Sequence, residues 1–261
     1  MPIMTVGTGR ALIYSGVVVW DPSQPTTDGD LLPDHWYRSD SGLWQDAGIT
    51  PAAAGGDPVG RWEDLTANAD HVNQAVVANK PTRQTVPGVG TVVRFDGTND
   101  FLQGAFTAGG ALTQPFTVFA VAALDAVAVN DGSNHLISDS DDVVSRLIAG
   151  ANASTTPDKW YVYAGVVRVG NASNSNWNIW TIRHWGVLSR FWHNGIIEVS
   201  ADAGVQNADG LTIGAAFDGT ALWDGDIAEY IIYDSDLSDA DKNQVGNYLV
   251  AGRATLSYAD I

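Results

Sequence analysis

Residues 92–103 read VVRFDGTNDFLQ. An alternating apolar–charged pattern runs into Asp96-Gly97, and a second carboxylate, Asp100, comes just before an aromatic restart at Phe101. Carboxylates at this spacing suit three chemistries. They could ligate a metal, form half of an acid/base pair, or accept backbone hydrogen bonds that hold a turn.

Acid/base chemistry finds little support elsewhere in the chain. Glu63, Glu198 and Glu229 are the only glutamates. Asp234 follows Glu229 by five residues, an odd spacing that puts the two on opposite faces of a regular strand. There is no Gly-x-Ser-x-Gly elbow and no His-Glu-x-x-His. The five histidines, at 35, 71, 135, 184 and 193, lack metal-ligand spacing. Zero cysteines exclude a thiolate site, a thiol nucleophile and a disulfide framework.

Aromatic chemistry is better represented. Sugar rings stack on flat aromatic faces while polar neighbours bond their hydroxyls. Trp160-Tyr161-Val162-Tyr163 and the stretch NSNWNIW, 174–180, bring that mix together. The candidate carbohydrate-binding residues are therefore Trp160, Tyr161, Tyr163, Asn174, Asn176 and Trp177. Strand alternation sets Trp160 and Val162 against Tyr161 and Tyr163, so one of the two faces belongs to a core.

Short strands must position these groups. Strands are expected at Thr91–Phe95, Phe101–Phe106, Phe116–Leu124, Val143–Ile148, Trp160–Val169, Trp177–Trp185, Arg190–His193, Ile196–Val199, Leu211–Ile213 and Asp226–Tyr233. Residues 129–142 read as a long polar loop. Asn194-Gly195 is the strongest short hairpin signal. One helix is expected near 238–251: Ser238 and Asp241 make a capping box, Val245, Tyr248 and Leu249 form an apolar stripe, and Gly252 stops it. Strands of this length at this spacing point to an antiparallel sandwich.

The 261 residues fit one large domain, with 45% apolar residues for its core. A net charge of −17 and the lack of a basic cluster argue against nucleic acid as a partner. No segment approaches the ~18–20 apolar residues of a membrane span. The apolar run 11–20, ALIYSGVVVW, carries no cleavage signal and ends in turn-rich residues, so it reads as a strand or docking arm rather than a leader.

Five segments in order carry a resemblance: HWYRSDSGLW, VGRWEDLTANADHVNQ, KPTRQ with VVRFDGTNDFL, FWHNGIIEV, and GDIAEYIIYDSDLSDADKNQVGNYLVAG. Across residues 35–252 the chain resembles the concanavalin A-like lectin/glucanase superfamily in its bacterial and phage laminin-G-like form. The resemblance implies an all-β, two-sheet antiparallel jelly-roll sandwich with one short C-terminal helix. The superfamily's Glu-x-Asp-x-x-Glu hydrolase pattern does not occur here. Relatives of this fold sometimes hold a structural Ca2+ near this turn, which makes Asp96, Asp100 and Asp226 the candidate metal ligands, with turn chemistry as the alternative. Because the fold hosts many activities, function must come from the site.

Residues 1–30 lie outside the resemblance and are expected to act as a docking or oligomerisation arm, with 31–261 forming the jelly roll. The expected function is non-catalytic recognition of cell-surface polysaccharide on a phage or phage-like particle. Such a protein would be multi-copy or homo-oligomeric, made in the bacterial cytoplasm without a signal peptide, and docked to other virion proteins through its arm. The alternatives are a capsid decoration protein without ligand and, third, a glycanase.

Overall fold

The computed structural model describes residues 12–14, 17–108 and 110–261. In chain order the strands are β1 (Leu12–Tyr14), β2 (Val17–Val19), β3 (His35–Arg38), β4 (Leu43–Trp44), β5 (Arg61–Trp62), β6 (Val72–Asn73) and β7 (Thr82–Val86). Then come β8 (Gly90–Asp96), β9 (Leu102–Ala105), β10 (Phe116–Leu124), β11 (His135–Asp139), β12 (Ile148–Asn152), β13 (Lys159–Tyr163) and β14 (Val167–Ala172). The last are β15 (Asn178–His184), β16 (Arg190–His193), β17 (Ile196–Ser200), β18 (Gly210–Ile213) and β19 (Asp224–Tyr233), followed by α1 (Asp239–Val250).

Apart from β1 and β2, the strands form the two antiparallel sheets of a jelly-roll sandwich. Sheet I has the order β17-β16-β15-β10-β19-β8-β7, with β3 also paired to β19. Sheet II has the order β14-β13-β12-β11-β18-β9-β6-β5-β4. Alternation decides which side chains meet between them. Ala120, Trp180 and Tyr230 lie opposite one another in register and face the shared core, as do Trp160 and Val162 from sheet II. Their neighbours Phe119 and Ile231 point the other way, into a second core beneath α1. Burial on both faces is why β10 reads as a continuous apolar run.

Helix α1 starts where the capping box predicts. Ser238 Oγ accepts the Asp241 amide at 3.1 Å, and Val245, Tyr248 and Leu249 are buried against sheet I. The Asp241 carboxylate turns outward from the box and accepts the amides of Asp28 and Gly29 at 3.0 and 2.9 Å. Trp20 meets Tyr248 edge-on at 6.0 Å between ring centroids. Residues 20–31 are thereby held against α1.

Three local expectations change. The polar loop expected over 129–142 contains β11, buried at every position. Its polar side chains are satisfied: His135 Nδ1 bonds the Leu222 carbonyl at 2.8 Å and Ser138 Oγ accepts the Tyr230 hydroxyl at 2.9 Å. Residues 143–147 are irregular, because Asp142 Oδ1 accepts the amides of Val144 and Ser145 and bends the chain before β12. The single strand expected over 160–169 is divided by Gly165, whose φ of +115° breaks the extended path. The hairpin signal holds, with φ of +51° and +80° at Asn194 and Gly195. Within the apolar run 11–20, β1 and β2 pair with each other. Residues 1–11, 15 and 16 of the arm lie outside the described residues.

Candidate functional site

The predicted aromatic residues separate into three places. Trp160 is 1% exposed in the shared core, edge-on to Trp180 at 5.0 Å between ring centroids. It cannot stack on a ligand, because β13 alternation turns it inward. Tyr161 is buried and Tyr163 half-buried on the outer side of sheet II, where both pack with Leu136 and Ile148. Trp177, Asn174 and Asn176 lie on the loop that leads into β15. Asn174 Oδ1 accepts the Asn176 amide at 2.9 Å and so shapes this loop, while Trp177 is half-buried at the margin of the core under α1.

Trp177 lines a cleft of about 280 Å3 at one end of sheet I. Ser175 stands beside it, and Arg94, Asp125, Asp224 and Asp226 supply the charged wall. These residues come from the C-terminal ends of β8 and β10, the start of β19 and the loop before β15, which antiparallel pairing brings to one edge of the sandwich. Gly225 allows the close approach. A Cβ there would lie 2.2 Å from the Ala123 carbonyl oxygen.

The carboxylates of this region differ in what they hold. Asp226 takes the Arg94 guanidinium in a two-pronged bond, 2.7 Å on each arm, and this pairing raises the arginine's pKa. Asp125 Oδ1 accepts the Val127 amide at 3.1 Å. Asp224 sits above the usual carboxylate range, chiefly through burial and then through the nearby charge of Asp125. Its oxygens, with those of Asp125, are suited to accepting hydroxyl or ammonium hydrogens.

In the opening stretch both carboxylates bond backbone amides. Asp96 Oδ1 accepts the amides of Thr98 and Asn99 at 2.9 and 3.3 Å, and Asp100 Oδ2 accepts the Asp96 amide at 3.2 Å. Burial, then the charge of Asp96, pushes the Asp100 pKa up to about 6. The turn therefore uses both carboxylates. Asp226, the third expected ligand, is committed to Arg94. The set Asp96, Asp100 and Asp226 does not converge, and among the described residues no group of three or more His, Cys, Asp or Glu side chains is placed to hold a metal ion.

Glu229 is not in the cleft. It lies fully buried under α1, where Oε1 accepts Trp36 Nε1 at 2.7 Å and the Tyr248 hydroxyl at 2.8 Å. Oε2 takes Arg253 Nη2 at 2.5 Å.

The sequence singled out Trp177 and Asp226 but missed Arg94, Asp125, Ser175 and Asp224. The Asp-Gly-Asp stretch at 224–226 carried a signal, since a glycine between carboxylates at a strand start marks close backbone approach. Asp125 and Ser175 had none, because only strand pairing places them here.

No family model matches the sequence, and no curated protein matches it. Solved structures do match. A GH54 α-L-arabinofuranosidase soaked with a cyclic sulfate inhibitor aligns with a TM-score of 0.61 at 13% identity, over 88% of this chain and 64% of its own. The ligand-binding domain of botulinum neurotoxin serotype D, in complex with N-acetylneuraminic acid, gives 0.58 at 11% identity, over 83% and 50%. Trypanosoma rangeli sialidase, in complex with the inhibitor DANA, gives 0.54 at 13% identity, over 86% and 33%. The chain thus spans less than two thirds of each of these proteins. Likeness at this identity establishes the fold alone, an antiparallel β-sandwich shared by binding domains and glycosidases.

Proposed function

We propose that this chain is a non-catalytic glycan-recognition domain that binds sugar in the cleft at the end of sheet I. One observation carries the reading: a half-buried tryptophan lines a polar cleft at the loop end of a lectin-like sandwich. Trp177 offers an apolar face to the C–H side of a sugar ring, while Asp125, Asp224 and Ser175 can bond its hydroxyls. The sugar-derived ligands named for the neurotoxin domain and the sialidase support this choice of ligand class.

The non-catalytic assignment rests on what occupies the carboxylates. Asp226 is paired with Arg94, Asp125 caps a turn and Glu229 is sealed beneath α1, which leaves Asp224 as the one cleft carboxylate without such a commitment among the described residues. Acid/base work on a glycosidic bond needs two carboxyl groups flanking it, one of them free to give a proton. Display on a phage or phage-like particle is part of the same proposal, with the chain before Trp20 as its attachment. The support is that β1 and β2 pair only with each other among the described strands, leaving an apolar hairpin that a two-stranded sheet does not stabilise alone.

The test is calorimetric titration with bacterial surface polysaccharides chosen from a glycan array. Trp177→Ala should weaken binding at least tenfold, about 1.4 kcal/mol, with little change in melting temperature. An array without a single binder, or a variant that binds as tightly as the parent, would end the glycan reading. A non-binding chain that still copurifies with particles would favour the decoration protein instead.

A further inference from the structure

The wall of the Trp177 cleft is uneven in charge. It carries Asp125, Asp224 and Asp226 against a single cation, Arg94. Both bonded arms of Arg94 go to Asp226, so the charge of the other two carboxylates is left uncompensated. Strand register explains the imbalance. β19 pairs with β8 so that Asp226 lies opposite Arg94 and, two residues along on the same face, Asp224 lies opposite Asp96. The first cross-strand pair joins opposite charges. The second sets like charges side by side, which costs stability.

The backbone keeps Asp224 in this position. Its side chain rests on Gly97, where an added Cβ would stand 2.7 Å from Asp224 Cβ. Its carbonyl accepts the Asp125 amide at 2.7 Å, which ties the two acids to one end of the cleft. Asp125 Oδ1 already accepts the Val127 amide. The Asp224 carboxylate has no protein donor among the described residues and faces the cleft. Burial and then the charge of Asp125 raise its pKa, with Asp96 and Asp131 adding to the rise and His135 opposing it.

A donor that also brings positive charge is what this wall lacks. A sugar hydroxyl donates but leaves the charge unmatched, and a sugar carboxylate would be repelled. A divalent cation needs six or more oxygens, and among the described residues no group of three or more His, Cys, Asp or Glu side chains is placed to hold one. An ammonium group needs only a few acceptors, which Asp224, Asp125 and Ser175 supply, and the indole of Trp177 favours a cation beside it. We propose that the sugar bound in this cleft carries a free, protonated amine, and that Asp224 is the residue that selects it. The inference rests on the glycan reading of the cleft and adds the class of sugar. It also separates this chain from the neurotoxin domain, whose named ligand, N-acetylneuraminic acid, is itself an acid.

The test uses the full chain and an array of neutral, acidic and amino sugars. Glucosamine and galactosamine oligosaccharides are each present as the free amine and as the N-acetylated twin. Free amines should bind about tenfold or more tighter than their twins, and the advantage should shrink as sodium chloride rises. Asp224→Asn should bring the twins close to equal. Asp125→Asn, which keeps the oxygen that accepts the Val127 amide, should reduce the preference and keeps the test informative if Asp224→Asn misfolds. Glu63→Gln removes the same charge from a residue that lines no part of the cleft, so the preference should persist. Twins bound equally, or a preference that survives both aspartate substitutions or is lost equally with Glu63→Gln, would overturn the proposal. Neutral or acidic sugars bound through Trp177 in place of the amines would overturn it too, while leaving the glycan reading standing. A chain that binds no sugar at all would remove both.

Discussion

Strand β19 carries carboxylates in two settings. In its middle, Glu229 is buried with three donors around it: an indole, a phenol and a guanidinium. At its start, Asp224 faces a cleft next to the like charges of Asp125 and Asp96, and burial raises its pKa. The same strand thus holds one carboxylate fully satisfied and another with no protein donor among the described residues. Helix α1 makes the difference. It covers the middle of the sheet and brings Tyr248 and, just past its end, Arg253, whereas the strand start projects beyond it. Satisfied polar groups hold a fold together, and unsatisfied ones at a cleft are available to a ligand.

The largest effect should follow from Glu229→Leu. It strands the Arg253 guanidinium, Trp36 Nε1 and the Tyr248 hydroxyl in a nearly dry site, at a cost of about 3–5 kcal/mol in unfolding free energy. Denaturant unfolding measures this, and glycan affinity under folding conditions should stay unchanged. Lost affinity with unchanged stability would reverse the roles of the two settings.

Next in size is the N-terminal seal over the same buried middle. Trp20 packs on Tyr248, and residues 27–29 bond Gln244 and the buried Asp241. A chain beginning at Leu31 loses all of these contacts and leaves Asp241 without two of its donors. It should be less stable by about 2–4 kcal/mol, whereas a chain beginning at Trp20 should melt like the parent. Equal melts for the two would show that the seal adds nothing to the sheet beneath it.

Much of this comparison can be read in the sequence, and the unread part has a consistent cause. The Asn194-Gly195 hairpin, the Ser238 cap and the alternation of Trp160 against Tyr161 are local signals, and the fold obeys each of them. The turn bonds of Asp96 and Asp100 are among the readings that Asp-Gly allowed. Strand β11 was not, because His135, Ser138 and Asp139 look like loop residues until Leu222, Tyr230 and Arg146 arrive to pair with them. The cleft was hidden for the same reason. Arg94 and Asp226 are far apart in sequence, and nothing near either one announces the other. Trp160 shows the converse error: composition suggested a sugar platform, and burial in the sandwich decided otherwise.

The smallest effect tests whether the open end is strained. Asp100 is buried beside Asp96 and titrates at about 6 in the folded chain, against roughly 3.9 for an unfolded aspartate. Between those values the folded state binds more protons than the unfolded state. The contribution of Asp100 to stability is therefore fully present below about pH 4 and is lost as pH rises through about 6. At neutral pH the charge is a liability. Asp100→Asn removes it while keeping an oxygen that can accept the Asp96 amide, so the variant should be more stable than the parent by about 1–3 kcal/mol at pH 7, with the gap closing toward pH 4. Melts of parent and variant should be the same with and without a chelator. The opposite pattern, a variant less stable at pH 7 and a parent that chelation destabilises, would mean that Asp96 and Asp100 share a bound cation. The open end would then be a metal-bound structural element, and its contrast with the buried glutamate would disappear.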